Sequence, residues 1–323
     1  MELVTKKTLR LYAGRSHPKL AEDIAKRLGV PLGEANVRNF PNGETHCQLG
    51  ENIRGADVFI IQTHCGSVND SIMEQLIMID AAKRASAKRI TAVCPLYGYA
   101  RQDRKAENRV PISAKLVADM LTVAGADRMV SIDLHSGQIQ GFFDQPVDHL
   151  TAMPVLLDYL QRECDDDVVV VSPDAGRVKV AERYSQHIGA DLAFVHKRHI
   201  KGSSDEVEAR GVIGDVDGRR CVIIDDRIDT AGTIVAAADI LTDHGATEVW
   251  AMATHAILAD PAVDRLKNSV ISRVVVTDTV PITDDKQLDK IEVLSVANII
   301  GDAIDAIFED KSVSELFGGE NLA

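Results

Sequence analysis

Short apolar runs rich in β-branched residues recur along this chain, spaced so that a helix fits between one and the next. They are "TLRLYAG", "DVFIIQ", "RITAVC", "RMVSID", "VVVVS", "LAFVH", "CVIID", "EVWAMAT" and "RVVVTD". Amphipathic segments lie between several of them. In "SIMEQLIMIDAAKRA", Ile72, Leu76 and Ile79 mark an apolar face, and Ser71 and Glu74 have the spacing of a capping box. Strands alternating with helices predict βα units around mainly parallel sheets, an α/β fold.

The pattern is also written twice. "LAEDIAKRLGVPL" at 20–32 aligns without a gap to "VAERYSQHIGADL" at 180–192, with Ala21/Ala181, Glu22/Glu182, Gly29/Gly189 and Leu32/Leu192 coinciding. "LGENIRGADVFII" at 49–61 resembles "IGDVDGRRCVII" at 213–224, one residue out of step. Two matches in the same order at nearly the same offset predict a duplicated unit of about 160 residues. The length of 323 residues suits two domains, expected at 1–152 and 153–323.

Composition narrows the class. The net charge of −13 disfavours a nucleic-acid surface, so a bound phosphate would have to meet local cations. No apolar run reaches the ~18 residues that span a bilayer, and the N-terminus has no apolar h-region, so no membrane association is expected. Cys47, Cys65, Cys94, Cys164 and Cys221 are scattered and never spaced as CxxC, which fits a reducing cytoplasm better than a disulfide framework or a zinc site.

The copies differ where chemistry belongs in such folds, beyond the carboxyl ends of the strands. There the first copy has "QTHCGSVND" and the second "DDRIDTAGT". A strand that only fills a core has no use for Asp225, Asp226 and Asp229 at its exit. Thr230, Ala231, Gly232 and Thr233 then lead into a predicted helix, "IVAAADILTDHG". Small residues entering a helix N-terminus offer backbone N–H groups and the positive end of the dipole to an anion. Asp225 and Asp226 suit vicinal hydroxyls, or a metal held through water. An N-cap and turn would account for Asp229 and the threonines but not for the other two carboxylates.

This stretch resembles the phosphoribosyl-diphosphate loop of phosphoribosyltransferases and of the ribose-phosphate pyrophosphokinase family. Other segments resemble the latter. In "FPNGETHCQL", the positions Phe40, Asn42, Gly43 and Glu44 match a segment that reaches the adenine of ATP bound to a neighbouring subunit; Asn42 departs from the more usual Asp. An aromatic face can stack on a base, and an amide or carboxylate can bond its amine. In "YGYARQDRKAENRVPISAKL", Arg101 and Gln102 match ATP contacts, with Arg104, Lys105 and Arg109 as further cations. His135 and Asp174 match the magnesium-site histidine and a second metal-associated carboxylate. Arg177 stands where many relatives have a glycine. No GxxxxGK[ST] sequence is present, so no Walker loop holds a nucleotide.

"FVHKRHIKGSSDEVEARGV" resembles the family's catalytic lid, a flexible loop. Lys197 sits at the lysine position. The usual arginine falls at His199, with Arg198 adjacent. The resemblance implies two similar phosphoribosyltransferase-like domains, each with a mainly parallel sheet flanked by helices. It implies a magnesium-dependent transferase that moves the diphosphoryl group of ATP to ribose 5-phosphate for nucleotide biosynthesis. Asp225, Asp226, Asp229 and Thr230–Thr233 would hold the sugar phosphate. It further implies a homo-oligomer, commonly a hexamer built from dimers. Inorganic phosphate would act as an allosteric activator near "SVSELFGG", where Ser312 and Ser314 could hold an anion. A phosphoribosyltransferase is the nearest rival reading; a non-catalytic regulator carrying the loop is another.

Overall fold

The computed structural model describes residues 7–164, 167–199 and 208–317, with the backbone alone for 197–199 and 208–210. The chain divides into two compact units. One holds the residues up to Thr151, Thr279–Pro281 and the segment from Val296 onward; the other holds Ala152–Asp278 and Ile282–Ser295.

In the first unit the chain forms β1 (Leu9–Ala13), α1 (Pro18–Leu28), β2 (Ala35–Asn39), β3 (Thr45–Leu49), β4 (Asp57–Ile61), α2 (Val68–Arg84), β5 (Arg89–Cys94), α3 (Ser113–Ala124), β6 (Arg128–Ile132) and β7 (Val147–Leu150). Strands β1, β4, β5, β6 and β7 lie in that order, all parallel, and β2–β3 is a separate antiparallel hairpin. All five residues of β4 are buried, as a strand covered on both faces requires.

The second unit continues with α4 (Met153–Glu163), β8 (Val168–Ser172), α5 (Val178–Ile188), β9 (Asp191–His199), β10 (Glu208–Ile213), β11 (Arg220–Ile228), α6 (Gly232–Asp243), β12 (Glu248–Ala256), α7 (Ala262–Lys267), β13 (Arg273–Thr277) and β14 (Ile291–Leu294). Its sheet runs β10-β9-β8-β11-β12-β13-β14, antiparallel only between β9 and β10. The expected class, α/β with mainly parallel sheets flanked by helices, is the one found.

The duplication is visible in the register. Strands β8-β11-β12-β13-β14 repeat the order β1-β4-β5-β6-β7. The aligned helices α1 and α5 both end on a left-handed glycine, Gly29 at φ 66° and Gly189 at φ 68°. That conformation costs glycine nothing and closes a helix on its own last carbonyls. The chain then returns beside the first strand in each copy. Leu32 bridges Leu11 in the first, and Leu192 pairs with Val170 in the second.

Three expectations need correction. Ser71 and Glu74 form no capping box. Helix α2 starts earlier, at Val68, so Ser71 Oγ donates to the Val68 carbonyl, while Glu74 is buried against Arg15. The strands read as "LAFVH" and "CVIID" are longer, because parallel pairing with β12 carries β11 through Asp225 and Asp226 to Ile228, and pairing with β10 carries β9 to His199. Finally, the C-terminal segment does not group with residues 153–295. Helix α8 (Ala297–Phe308) lies on α1, with Arg27 paired to Asp302, and Lys7 and Arg89 both paired to Asp310. An apolar helix face finds its cover where packing allows, not by sequence proximity.

Candidate active site

The strand exit of β11 is stepped. Its pairing with β8 stops at Ile223↔Val171, whereas its pairing with β12 runs on to Ile228↔Ala256. Asp225 and Asp226 therefore lie past the end of β8, at the carboxyl end of a parallel sheet. The turn after β8 is organised locally: Asp174 Oδ1 accepts from the Gly176 N–H at 2.8 Å, and Ser172 Oγ donates to the Asp174 carbonyl at 2.6 Å. It delivers Arg177, the residue before α5, toward the aspartates.

Charge at this exit is balanced within a few ångströms. Arg177 NH2 lies 2.8 Å from Asp226 Oδ2, and its Nε 3.5 Å from Asp225 Oδ1. Arg227 Nε donates to Asp226 Oδ2 at 3.2 Å, and Asp225 Oδ1 accepts the Asp226 backbone N–H at 2.8 Å. The four side chains are mostly buried, Asp226 with 8% of its side chain exposed and Arg177 with 16%. Burial, then the neighbouring Asp226 charge, pushes the Asp225 carboxyl up to about 8, with Arg177 pulling the other way.

Helix α6 follows. Its cap is Ala231, in the left-handed conformation at φ 59°, with no side-chain hydrogen bond closing the first turn. Asp229 is therefore not the cap; its carbonyl accepts from Ala259 N at 3.0 Å. Among the described residues, no backbone hydrogen bond is donated by the amides of Thr230, Ala231, Gly232 or Thr233. Four adjacent donors at the start of a helix form a cradle for an anion. Arg265 on α7 borders it, donating from NH1 to the Thr230 carbonyl at 3.0 Å. A Cβ on Gly232 would sit 3.1 Å from that nitrogen, a tight contact that Arg265 would have to yield to.

Elsewhere the expected residues fall in separate places. Phe40, Asn42, Gly43 and Glu44 form the tip of the β2–β3 hairpin. Gly43 N–H donates to the Phe40 carbonyl, Phe40 N–H to that of Glu44, and Asn42 Oδ1 accepts from Glu44 N–H. Phe40 remains 39% exposed, with Arg38 5.1 Å from its ring centre and His46 edge-on at 5.7 Å. Arg101 and Gln102 lie in the turn after β5, where Gln102 N–H donates to Tyr99 and Ser113 Oγ to Gln102 Oε1. No described contact joins Phe40, Asn42 or Glu44 to Gln102. Lys197, Arg198 and His199 stand on the β9 backbone opposite Arg210, Ala209 and Glu208; their side chains, like residues 200–207, lie outside the described residues.

His135 is half-buried after β6, and Asp174 is exposed after β8. Among the described residues, no group of three or more His, Cys, Asp or Glu could hold a metal ion. Magnesium keeps several waters and takes one or two carboxylates plus phosphate oxygens. The exposed Asp174 carboxylate fits that donor set; an imidazole such as His135 fits a hard cation less well. Among the described residues, no helix is long and apolar enough to cross a membrane.

Sequence reasoning missed Arg227 and Arg265. Arg227 sits inside the quoted acidic stretch, where an alternating strand should have singled it out. Arg265 is 35 residues from Thr230 in the chain, and no local signal links the two.

The chain is similar along nearly all of its length to known proteins. The family described as the N-terminal domain of ribose phosphate pyrophosphokinase matches residues 9–125, and the phosphoribosyl synthetase-associated domain matches residues 210–318. The chain is 55% identical over 315 residues to a ribose-phosphate pyrophosphokinase of Bifidobacterium longum, covering 96% of this chain and 93% of that protein. It is 54% identical to that of Streptomyces avermitilis over 96% of each chain. The crystal structure of phosphoribosylpyrophosphate synthetase from Mycobacterium smegmatis superposes with a TM-score of 0.89 at 49% identity, covering 94% of this chain and 99% of that one. With likeness of this extent in both units, the chain belongs to the ribose-phosphate pyrophosphokinase family of transferases.

Proposed function

We propose that this protein transfers the diphosphoryl group of ATP to the 1-hydroxyl of ribose 5-phosphate, releasing 5-phosphoribosyl 1-diphosphate and AMP. The observation that carries the reading is the pairing, on one strand exit, of the carboxylates of Asp225 and Asp226 with amides at Thr230–Thr233 that donate no backbone hydrogen bond among the described residues. The amides would take the 5-phosphate, with Asp229 closing the loop behind them. The two carboxylates would accept hydrogen bonds from the ring hydroxyls. The names of the relatives support the same substrate class.

The 1-hydroxyl oxygen attacks the β-phosphorus in line and gives up its proton to solvent; the bond from β-phosphorus to the α-phosphate bridging oxygen breaks, and AMP leaves with that oxygen. Such chemistry is mostly positioning and charge neutralisation. Lys197, with Arg198 or His199, would neutralise the transferring group. Phe40, Asn42, Gly43 and Glu44 would hold the adenine, and Arg101 and Gln102 would bind the rest of the nucleotide. Asp174 and His135 are the residues we assign to magnesium, which when bound with the nucleotide would supply positive charge to the phosphates. We assign the protein to the cytoplasm, as a homo-oligomer of hexameric type with inorganic phosphate as activator through the segment of Ser312 and Ser314.

Incubation with ATP, ribose 5-phosphate and magnesium tests the reaction. Release of AMP with an equal amount of 5-phosphoribosyl 1-diphosphate is expected. Consumption of the diphosphate with a free base and no AMP would instead make the protein a phosphoribosyltransferase.

A further inference from the structure

Arg177 is the residue that least fits the resemblance, and the structure gives it more to do than most side chains in the second unit. It comes from the turn after β8 and reaches across the step where β11 runs on without a β8 partner. One guanidinium touches two successive strand residues, through NH2 to Asp226 and Nε to Asp225. Successive side chains on a strand ordinarily diverge to opposite faces. A planar donor group that spans both therefore fixes their relative geometry, which a point charge could not do as well.

The two adjacent carboxylates are mostly buried, and burial with the neighbouring Asp226 charge raises the Asp225 carboxyl, while the Arg177 guanidinium pulls it back down. Arg227 offsets one charge only, through Asp226. Arg177 meets both.

We propose that Arg177 is a positioning residue for the acceptor sugar: by bracing Asp225 and Asp226 together it fixes the relative geometry with which the pair meets the vicinal ring hydroxyls. This rests on the sugar-phosphate reading of the same strand exit. Arg177 itself need not touch the sugar. Its side chain thereby takes over a task that a glycine at this position would leave to other groups.

The test compares wild type with Arg177→Met, Arg177→Lys and Arg177→Gly. It reads ribose 5-phosphate and 2-deoxyribose 5-phosphate binding by calorimetry, KM and kcat with both substrates, and thermal unfolding. Arg177→Met should weaken ribose 5-phosphate binding about tenfold or more, the loss expected for charge-assisted hydrogen bonds. The KM for ATP should stay within about twofold, and Arg177→Lys should recover part of the loss. The deoxy sugar, lacking one of the two hydroxyls, should lose less than the full sugar. Unchanged or tighter binding of ribose 5-phosphate in a folded Arg177→Met would overturn the inference, the tighter case making Arg177 a competitor of the sugar. Parallel losses for both substrates with a lower melting temperature in all three variants would reduce it to a structural residue. Absence of binding by wild type would instead overturn the sugar-phosphate reading itself.

Discussion

The exits of β4 and β11 occupy the same place in two copies of one fold, and they have opposite chemistry. After β4 come Gln62, Thr63 and His64, each about 1% exposed and hydrogen-bonded within the unit. His64 Nδ1 accepts from Gly98 N–H at 2.9 Å, so its Nε2–H donates to Gln75 Oε1 at 2.8 Å. Thr63 Oγ1 donates to the Thr279 carbonyl and accepts from Leu96 N–H. Gln62 Nε2 donates to Glu74 and to the Ser71 carbonyl, while its Oε1 accepts from Ser16. Polar groups at the first exit are satisfied by the protein; at the second they are charged, braced by arginine and followed by amides that donate no backbone hydrogen bond among the described residues. A duplicated scaffold can thus seal one site and open the other by changing a handful of loop residues.

The hairpins that follow α1 and α5 make a second pair. The first is a separate two-stranded ribbon whose tip carries Phe40; in the second, β9 joins the main sheet and leads to Lys197. The segment expected to hold adenine and the segment expected to perform the transfer are therefore equivalent hairpins of the two copies.

The largest effect that should separate the copies is at these hairpins. Lys197→Ala is expected to lower turnover by about 10²–10³-fold while ribose 5-phosphate still binds by calorimetry; normal turnover would remove Lys197 from the chemistry. Next comes Asp226→Asn, which leaves Arg177 and Arg227 without their common partner. It should reduce kcat/KM for ribose 5-phosphate by about 10²-fold or more, the scale of losing a buried charged partner.

At the sealed exit the expected outcome is different in kind. His64→Ala leaves the Gly98 N–H without its acceptor, removes one donor to Gln75 Oε1 and opens space in the core, which should cost about 2–4 kcal/mol in a denaturant melt. Because His64 is buried, the folded fraction should keep its KM for ribose 5-phosphate. A raised KM with unchanged stability would erase the distinction between the exits.

The smallest effect is in pH. Burial holds the His64 imidazole down at about 4, below its ordinary 6.5, so the unfolded chain binds the extra proton first. Its contribution is present above 6.5 and is lost as pH falls toward 4. Asp225 has the opposite sign: with its carboxyl raised from 3.8 to about 8, its contribution is complete at low pH and lost as pH rises through that value. In melting curves from pH 4 to 9, His64→Gln should remove a contribution that rises between pH 4 and 6.5, and Asp225→Asn one that falls between pH 4 and 8, so the two variants should change the slope in opposite directions. A slope change of the same sign in both variants would contradict the assignment of the two groups.

Much of this was legible in the chain. The period of apolar runs reported the parallel strands, and Gly29 and Gly189 marked matching helix ends because only glycine takes that conformation cheaply. The Asp225–Thr233 stretch announced itself by putting carboxylates where a core strand has none. What stayed illegible was long-range. Glu74 looked like a capping residue because helix spacing cannot reveal Arg15, 59 residues away. Arg177 looked like an interruption because nothing local shows that its guanidinium reaches β11.

The sequence by itself determined the α/β class, the doubling and the position of the acidic loop, since each follows from local periodicity and backbone preference. Tertiary structure alone decided that α8 returns to the first unit. It also decided that Arg177, Arg227 and Arg265 gather around the acidic exit, and that the first exit closes on its own polar groups. Those outcomes depend on which surfaces and charges meet after the chain has folded, and pairings between distant residues leave no trace in the spacing of near ones.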